Sequence, residues 1–190
     1  NMYGMDCNKC DKSNCLECKQ LDKSNRHLIS LLKKARNIEG IKNVYVRSGI
    51  RFDLACDEYL NEIAQHHIYD TLRIAPEHVS KEILKLMNKD NGNLKEFVDK
   101  FNKIKGTKEL SYYFIVAHPG STTQDAQKLA EFVKNLKNCE SVQVFTPTPM
   151  SISTCMYYTG MNPFTKERIY VPYTYNEKKE QKRIVMEQAD

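Results

Sequence analysis

Beyond its first two dozen residues the chain alternates short apolar, β-favouring runs with amphipathic stretches. Leu28, Leu31, Leu32, Ala35 and Ile38 follow the i, i+3, i+4 spacing of a helix with one apolar face, and Gly40 stands where a left-handed carboxy-terminal cap belongs. Val44-Tyr45-Val46 predicts a first strand, followed by the polar loop Arg47-Ser48-Gly49-Ile50-Arg51-Phe52-Asp53 and a helix over 57–65. Leu72-Arg73-Ile74-Ala75 predicts a second strand, Pro76-Glu77-His78 its loop, and Ser80 the cap of a helix with Ile83, Leu84 and Met87 inward. Leu94, Phe97, Val98, Phe101 and Ile104 share one face of the next helix. A third strand, Tyr112 to Val116, runs into Ala117-His118-Pro119-Gly120-Ser121. Thr122 and Asp125 then have capping-box spacing before the stripe Ala126, Leu129, Ala130, Val133 and Leu136. A fourth strand, Val142 to Phe145, leads to Thr146-Pro147-Thr148-Pro149. After Met150 the periodicity fades: Met156 to Pro163 reads as extended and turn-rich, and a last helix is expected to begin near Asn176.

Strands separated by helices imply successive right-handed βαβ crossovers and a parallel sheet. Four strands are too few to close an eight-stranded barrel. The expected fold is therefore α/β, a partial (β/α) barrel with an irregular carboxy-terminal extension. We divide the chain into a cysteine-rich segment (1–24), the partial barrel (25–150), and an extended segment with a terminal helix (151–190). The opening Asn1-Met2 and the ending within a charged helical pattern read as ends cut from a longer protein.

Composition narrows the class. With 41% hydrophobic and 28% charged residues the 190-residue chain can bury a core. It has no apolar run near the roughly 20 residues that span a bilayer and no secretory leader, so a cytoplasmic protein is expected. The net charge of +5 is modest. Its richest stretch, Glu177-Lys178-Lys179-Glu180-Gln181-Lys182-Arg183, mixes signs as a solvated helix face does.

Seven cysteines, an odd number, fit metal ligands or buried thiols better than a disulfide framework. Cys7, Cys10, Cys15 and Cys18 form C-x2-C-x4-C-x2-C, and thiolates in such pairs bind zinc or iron. Redox-labile thiols in a flexible segment are the other reading, since the four-residue linker is short for one tetrahedral ion. Cys56, Cys139 and Cys155 read as packing residues, and His66-His67 as a structural pair ending a helix.

In parallel α/β folds ligands bind at the carboxyl ends of strands, where loops and helix amino-termini converge. The unusual polar residues fall there: Ser48 and Arg51, Glu77 and His78, His118 and Gly120, Thr146 and Thr148. Each alone is an ordinary cap or turn residue; together they point to a shared ligand pocket. A forked guanidinium such as that of Arg51 suits a carboxylate, and Glu77 or His78 suits a ribose or an ammonium group.

Taken in order, Ile41 to Leu54, Leu72-Arg73-Ile74-Ala75-Pro76-Glu77-His78, His118-Pro119-Gly120, Phe145-Thr146-Pro147-Thr148-Pro149 and Met156-Tyr157-Tyr158-Thr159-Gly160 closely resemble the carboxy-terminal part of YgiQ-type radical S-adenosylmethionine (SAM) proteins. The layout is similar, more distantly, to the radical SAM methylthiotransferases. The resemblance implies a fragment of an enzyme whose parent binds a [4Fe–4S] cluster and SAM and cleaves SAM reductively to a 5′-deoxyadenosyl radical. It implies Ser48, Arg51, Glu77, His78, His118 and Thr148 as SAM or substrate contacts. The family's C-x3-C-x2-C triad is absent, because no cysteine here has partners four and seven positions later; the resemblance places it upstream of Asn1. The fragment is thus expected to be inactive alone, with the missing amino-terminal half as partner and self-association through the open sheet edge as a further expectation. The alternative is a metal-stabilised nucleic-acid-binding module, resting on the cysteine cluster and the positive charge.

Overall fold

The computed structural model describes residues 18, 19, 21–89 and 92–188. In chain order it has helices α1 (Arg26–Arg36), α2 (Asp57–His66), α3 (Lys81–Leu86), α4 (Leu94–Ile104), α5 (Thr123–Val133), α6 (Ile152–Thr159) and α7 (Tyr175–Met186). Strands are β1 (Thr71–Glu77), β2 (Glu109–Val116) and β3 (Cys139–Val144), with a 3₁₀ turn at Phe52–Leu54. The three strands form one open parallel sheet in the order β1-β2-β3, as in a partial (β/α) barrel. The β2–β3 register runs from Tyr112 opposite Cys139 to Val116 opposite Val144, with an irregularity at Tyr112/Tyr113.

The described residues pack as two units. One takes in those through Ile74 and from 92 through Ser111; the other, those from Ala75 through 89 and from Tyr112 through 188. The first is built on Ile29, Leu32, Leu60, Ile63, Leu72, Ile74, Phe97 and Phe101, all buried. The second buries Ile83, Phe114, Val116, Ala126, Leu129, Val133, Val142, Met156 and Val185, with α7 packed on α5 and β3. Each large side chain removed from water stabilises its unit by about 1.5–3 kcal/mol.

Local chemistry fixes the element ends. Asn93 caps α4 through a hydrogen bond from the Glu96 amide, and Thr122/Asp125 and Thr174/Glu177 close capping boxes on α5 and α7. Cys56 opens α2, its Sγ accepting from the Tyr59 amide. His67 is wholly buried, its Nδ1 2.7 Å from the Val44 carbonyl and its Nε2 3.3 Å from Glu62, a structural role as expected.

Four expectations need correction. Residues 44–46 do not form a strand: the Val46 amide reaches only the His67 carbonyl, and pairing with β1 is limited to one parallel bridge, Ile50 with Ile74. Without a continuous partner ladder the β-favouring residues form no strand, so three strands stand among the described residues where four were expected. In α1 the buried positions are Ile29 and Leu32, whereas Leu31 and Ile38 are exposed; the helix closes at Asn37, before the left-handed Gly40. The stretch Met156 to Thr159 is helical, not extended. Ser151 caps α6 by accepting from the Thr154 amide, Gly160 ends it in the left-handed conformation, and Met156 is buried. β-branched and aromatic residues obscured that helix, but burial and caps outweigh weak propensity. Finally, Cys155 is exposed rather than packed, while Cys56 and Cys139 are partly covered.

Candidate functional site

The second unit gathers four of the six candidate pocket residues, and Glu77 and His78 have the most distinctive chemistry. At the carboxyl end of β1 the His78 amide donates to the Pro76 carbonyl at 2.8 Å, closing a γ-turn around Glu77, whose φ is +68°. A γ-turn of this hand is rare and strained, and such backbone persists where surrounding contacts fix it, often at functional positions. Glu77 is buried and forms an ion pair with Lys89 through Oε1. Lys89 is delivered by the end of α3: its amide donates to Leu84 and that of Asn88 to Lys85, a Schellman turn with Asn88 at φ +55°. The second carboxylate oxygen, Oε2, is buried with no hydrogen-bond partner among the described residues.

His78 follows at 2% exposure. Its Nδ1 accepts from the Ser80 amide at 3.0 Å, so in the neutral ring the proton is on Nε2. That Nε2–H is also buried without a partner among the described residues. Burial holds the ring's pKa down to about 4, outweighing the opposing attraction of Asp125, so the ring is neutral at pH 7. The turn therefore presents one carboxylate acceptor and one imidazole donor, both buried. Ser80 stands at the first helical boundary as expected, but its hydroxyl donates to Glu82 rather than capping α3.

The loop after β2 is the companion feature. Ala117 has φ +58°, and the Ser121 amide donates to the His118 carbonyl at 2.8 Å. Pro119 and Gly120, the latter at φ +93°, fill the two central positions as a type II turn requires. His118 is 2% exposed; its Nδ1 lies 2.7 Å from the Pro119 carbonyl and its Nε2 2.7 Å from Ser153 Oγ. Nδ1–H thus donates to the carbonyl while Ser153 donates to Nε2, and the ring packs edge-on against Phe145 at 5.0 Å. Burial also holds this histidine's pKa down to about 4. Both ring nitrogens being engaged, His118 reaches a ligand through a nitrogen only by exchanging one of these bonds.

The other candidates are placed differently. Thr148 is exposed on the loop after β3, its backbone tied to Thr154 in α6. Thr146 donates to the Val144 carbonyl. Ser48 and Arg51 belong to the first unit and follow no strand, since 44–46 is not one; both are exposed, and Arg51 grips the Asp53 carboxylate with two nitrogens. Cys7, Cys10 and Cys15 lie outside the described residues. Among the described residues no three His, Cys, Asp or Glu side chains converge as a metal site.

One residue of the site had no signal in the sequence. Gln181, read as part of a solvated charged face, is 1% exposed and bonds to the β2 loop: its Oε1 accepts from the Ala117 amide (3.0 Å) and Ser121 Oγ (2.8 Å). Its Nε2 donates to the Ser121 carbonyl at 2.8 Å.

Residues 21–133 match the family described as the Radical SAM superfamily. The chain belongs to the radical SAM superfamily. Residues 140–187 match a domain of unknown function, DUF3362. Among curated proteins, a UPF0313 protein of Methanocaldococcus jannaschii is 44% identical over 98% of this chain and 34% of its own length. UPF0313 proteins of Fusobacterium nucleatum and Methanosarcina acetivorans are each 41% identical, over 98% and 97% of this chain and 37% and 27% of their own. The chain spans about a third of the length of these relatives. The resemblance to YgiQ-type radical SAM proteins is borne out. No helix among the described residues is long and apolar enough to cross a membrane.

The donor set of the β1 turn fits SAM. Glu77 Oε2 can accept from an ammonium group or a ribose hydroxyl, and His78 Nε2–H can donate to a carboxylate or a hydroxyl oxygen. A [4Fe–4S] cluster does not fit the described residues, which lack three converging thiolates.

Proposed function

We propose that this chain supplies SAM- and substrate-facing loops to a radical SAM enzyme in a longer protein, with Glu77 and His78 as its principal polar contacts. The observation that carries this reading is a pair of buried atoms without a hydrogen-bond partner among the described residues, Glu77 Oε2 and His78 Nε2, on a strained turn at a strand's carboxyl end. Leaving two such atoms unmatched costs about 1–3 kcal/mol each, a cost a polar ligand offsets. Strand ends are also where parallel α/β folds bind ligands.

SAM held by these loops would supply the chemistry of a radical SAM enzyme once a [4Fe–4S] cluster, which the described residues do not hold, is bound elsewhere in the longer protein. The residues here hold and orient. Glu77, its Oε1 paired with Lys89, accepts through Oε2 from an ammonium or hydroxyl group. His78, neutral, donates through Nε2. The His118-Pro119-Gly120 turn walls the adjacent strand end, and Thr148 is proposed as an outer contact. Alone, the chain is expected not to cleave SAM.

Titrating SAM into the isotopically labelled chain tests the binding half of this reading. Saturable shifts at the amides of Glu77, His78 and Ser80 are expected, and they should vanish in Glu77→Ala. Shifts confined to surface lysines and carboxylates, or none at millimolar SAM, would contradict it.

A further inference from the structure

The turn after β2 lies within the stretch that matches the Radical SAM superfamily, yet three of its polar anchors lie in the stretch that matches the domain of unknown function. Ser153, in the first turn of α6, donates to His118 Nε2. The Tyr170 carbonyl accepts from the Gly120 amide at 2.7 Å. Gln181, in α7, joins both ends of the turn at once, through Ala117 N–H on one side and the Ser121 hydroxyl and carbonyl on the other.

The third anchor is specific in its chemistry. Ala117 holds a left-handed backbone with only a methyl side chain, which offers no hydrogen bond to support it, and its buried amide needs an acceptor. One carboxamide meets that need, takes the Ser121 hydroxyl on its second lone pair and returns a donor to the Ser121 carbonyl. An apolar residue would orphan all three groups. An ionised carboxylate would accept twice but face the Ser121 carbonyl with no proton to give.

We infer that Gln181 is a positioning residue for the His118-Pro119-Gly120 turn, and that the carboxy-terminal segment serves as a clasp setting the geometry of that pocket wall. Its significance for a pocket rests on the reading proposed above; the clasp itself does not. It acts through Ala117 and Ser121, with no contact to a reacting group required.

Amide hydrogen exchange and the imidazole nitrogen signals of His118, measured on this chain without SAM or cluster, test the clasp. In Gln181→Leu the amides of Ala117 and Ser121 should exchange at least about tenfold faster, as loss of buried hydrogen bonds implies. The His118 signals should shift, while the amides of Phe114 and Leu129 keep native rates. Gln181→Glu adds a readout that general destabilisation would not mimic. Burial raises a carboxyl's pKa, and its protonated form restores an acceptor and a donor, so exchange at Ala117 should return towards native as the pH is lowered. If Gln181→Leu does not fold, this pH-dependent rescue carries the test. Native exchange at Ala117 in folded Gln181→Leu, protection at Ala117 in folded Gln181→Glu that does not change with pH, or acceleration by one common factor across β2 and α5, would overturn the inference. Because neither readout involves SAM, failure of the clasp and failure of the SAM reading are separable.

Discussion

Lys89 meets Glu77 through a single carboxylate oxygen, Oε1, leaving Oε2 buried on the other side of the same group. The pair couples the Schellman turn ending α3 to the γ-turn ending β1, so a surface-reaching lysine supplies the counter-charge of a buried carboxyl group. Lys89→Met should therefore destabilise the chain by about 1–3 kcal/mol in urea unfolding. That is less than the roughly 3–5 kcal/mol of a fully buried pair, because the Lys89 side chain is 30% exposed. Adding Glu77→Gln should recover part of the loss, since the double variant leaves no uncompensated charge. A single variant within about 0.5 kcal/mol of native would mean that the pair is solvated like an ordinary surface contact.

Acid sensitivity follows from the two buried histidines. His78 and His118 fall from the ordinary value of 6.5 to about 4 in the folded chain, both chiefly through burial. Between those values the unfolded chain binds more protons, so stability is full above about pH 6.5, declines as the pH falls towards 4, and suffers no further loss from these groups below that. At about 1.4 kcal/mol for each tenfold weakening of proton binding, each histidine accounts for up to roughly 3 kcal/mol. Denaturation midpoints measured from pH 8 to pH 4 should show this slope, and His78→Gln should remove about half of it. A flat profile would mean that the rings are hydrated.

Gly120 is a steric keystone. A Cβ there would lie 2.3 Å from Leu86 Cδ1, and φ of +93° disfavours any side chain. Gly120→Ala should cost about 2–3 kcal/mol by chemical denaturation. Measured against Leu86→Ala alone, where the overlap is relieved, Gly120→Ala should still cost about 1 kcal/mol of backbone strain. If it costs nothing in that background, the turn has another conformation available to it.

What was legible in the sequence followed periodicity and caps. β1, β2 and β3 read as apolar runs, α5 carried a capping-box signature that the structure closes, α7 begins within a residue of its expected start, and Pro119-Gly120 forms the turn its residue types demand. The motif resemblance located the family because ordered strand-end residues are a stronger signal than any one of them. What was illegible depended on tertiary context. Val44-Tyr45-Val46 has strand character but no continuous partner, and α6 is built from weak helix formers held by Ser151, Gly160 and a buried Met156. Gln181 sits in a run of charges, and nothing local distinguishes it from its solvated neighbours; only the fold brings it to Ala117. The orphaned atoms of Glu77 and His78 are likewise a property of burial, invisible in the letters Pro76-Glu77-His78.

The most direct test of the central claim is the rate of 5′-deoxyadenosine formation by the full-length protein to which this chain is proposed to belong, with its cluster rebuilt and verified, across a range of SAM concentrations. The native protein should form 5′-deoxyadenosine under reducing conditions, and Glu77→Ala and His78→Ala should each raise the KM for SAM by about tenfold or more, the loss of one buried, charge-assisted hydrogen bond. No 5′-deoxyadenosine from a verified cluster-loaded protein, or native KM and kcat in both variants, would contradict the account.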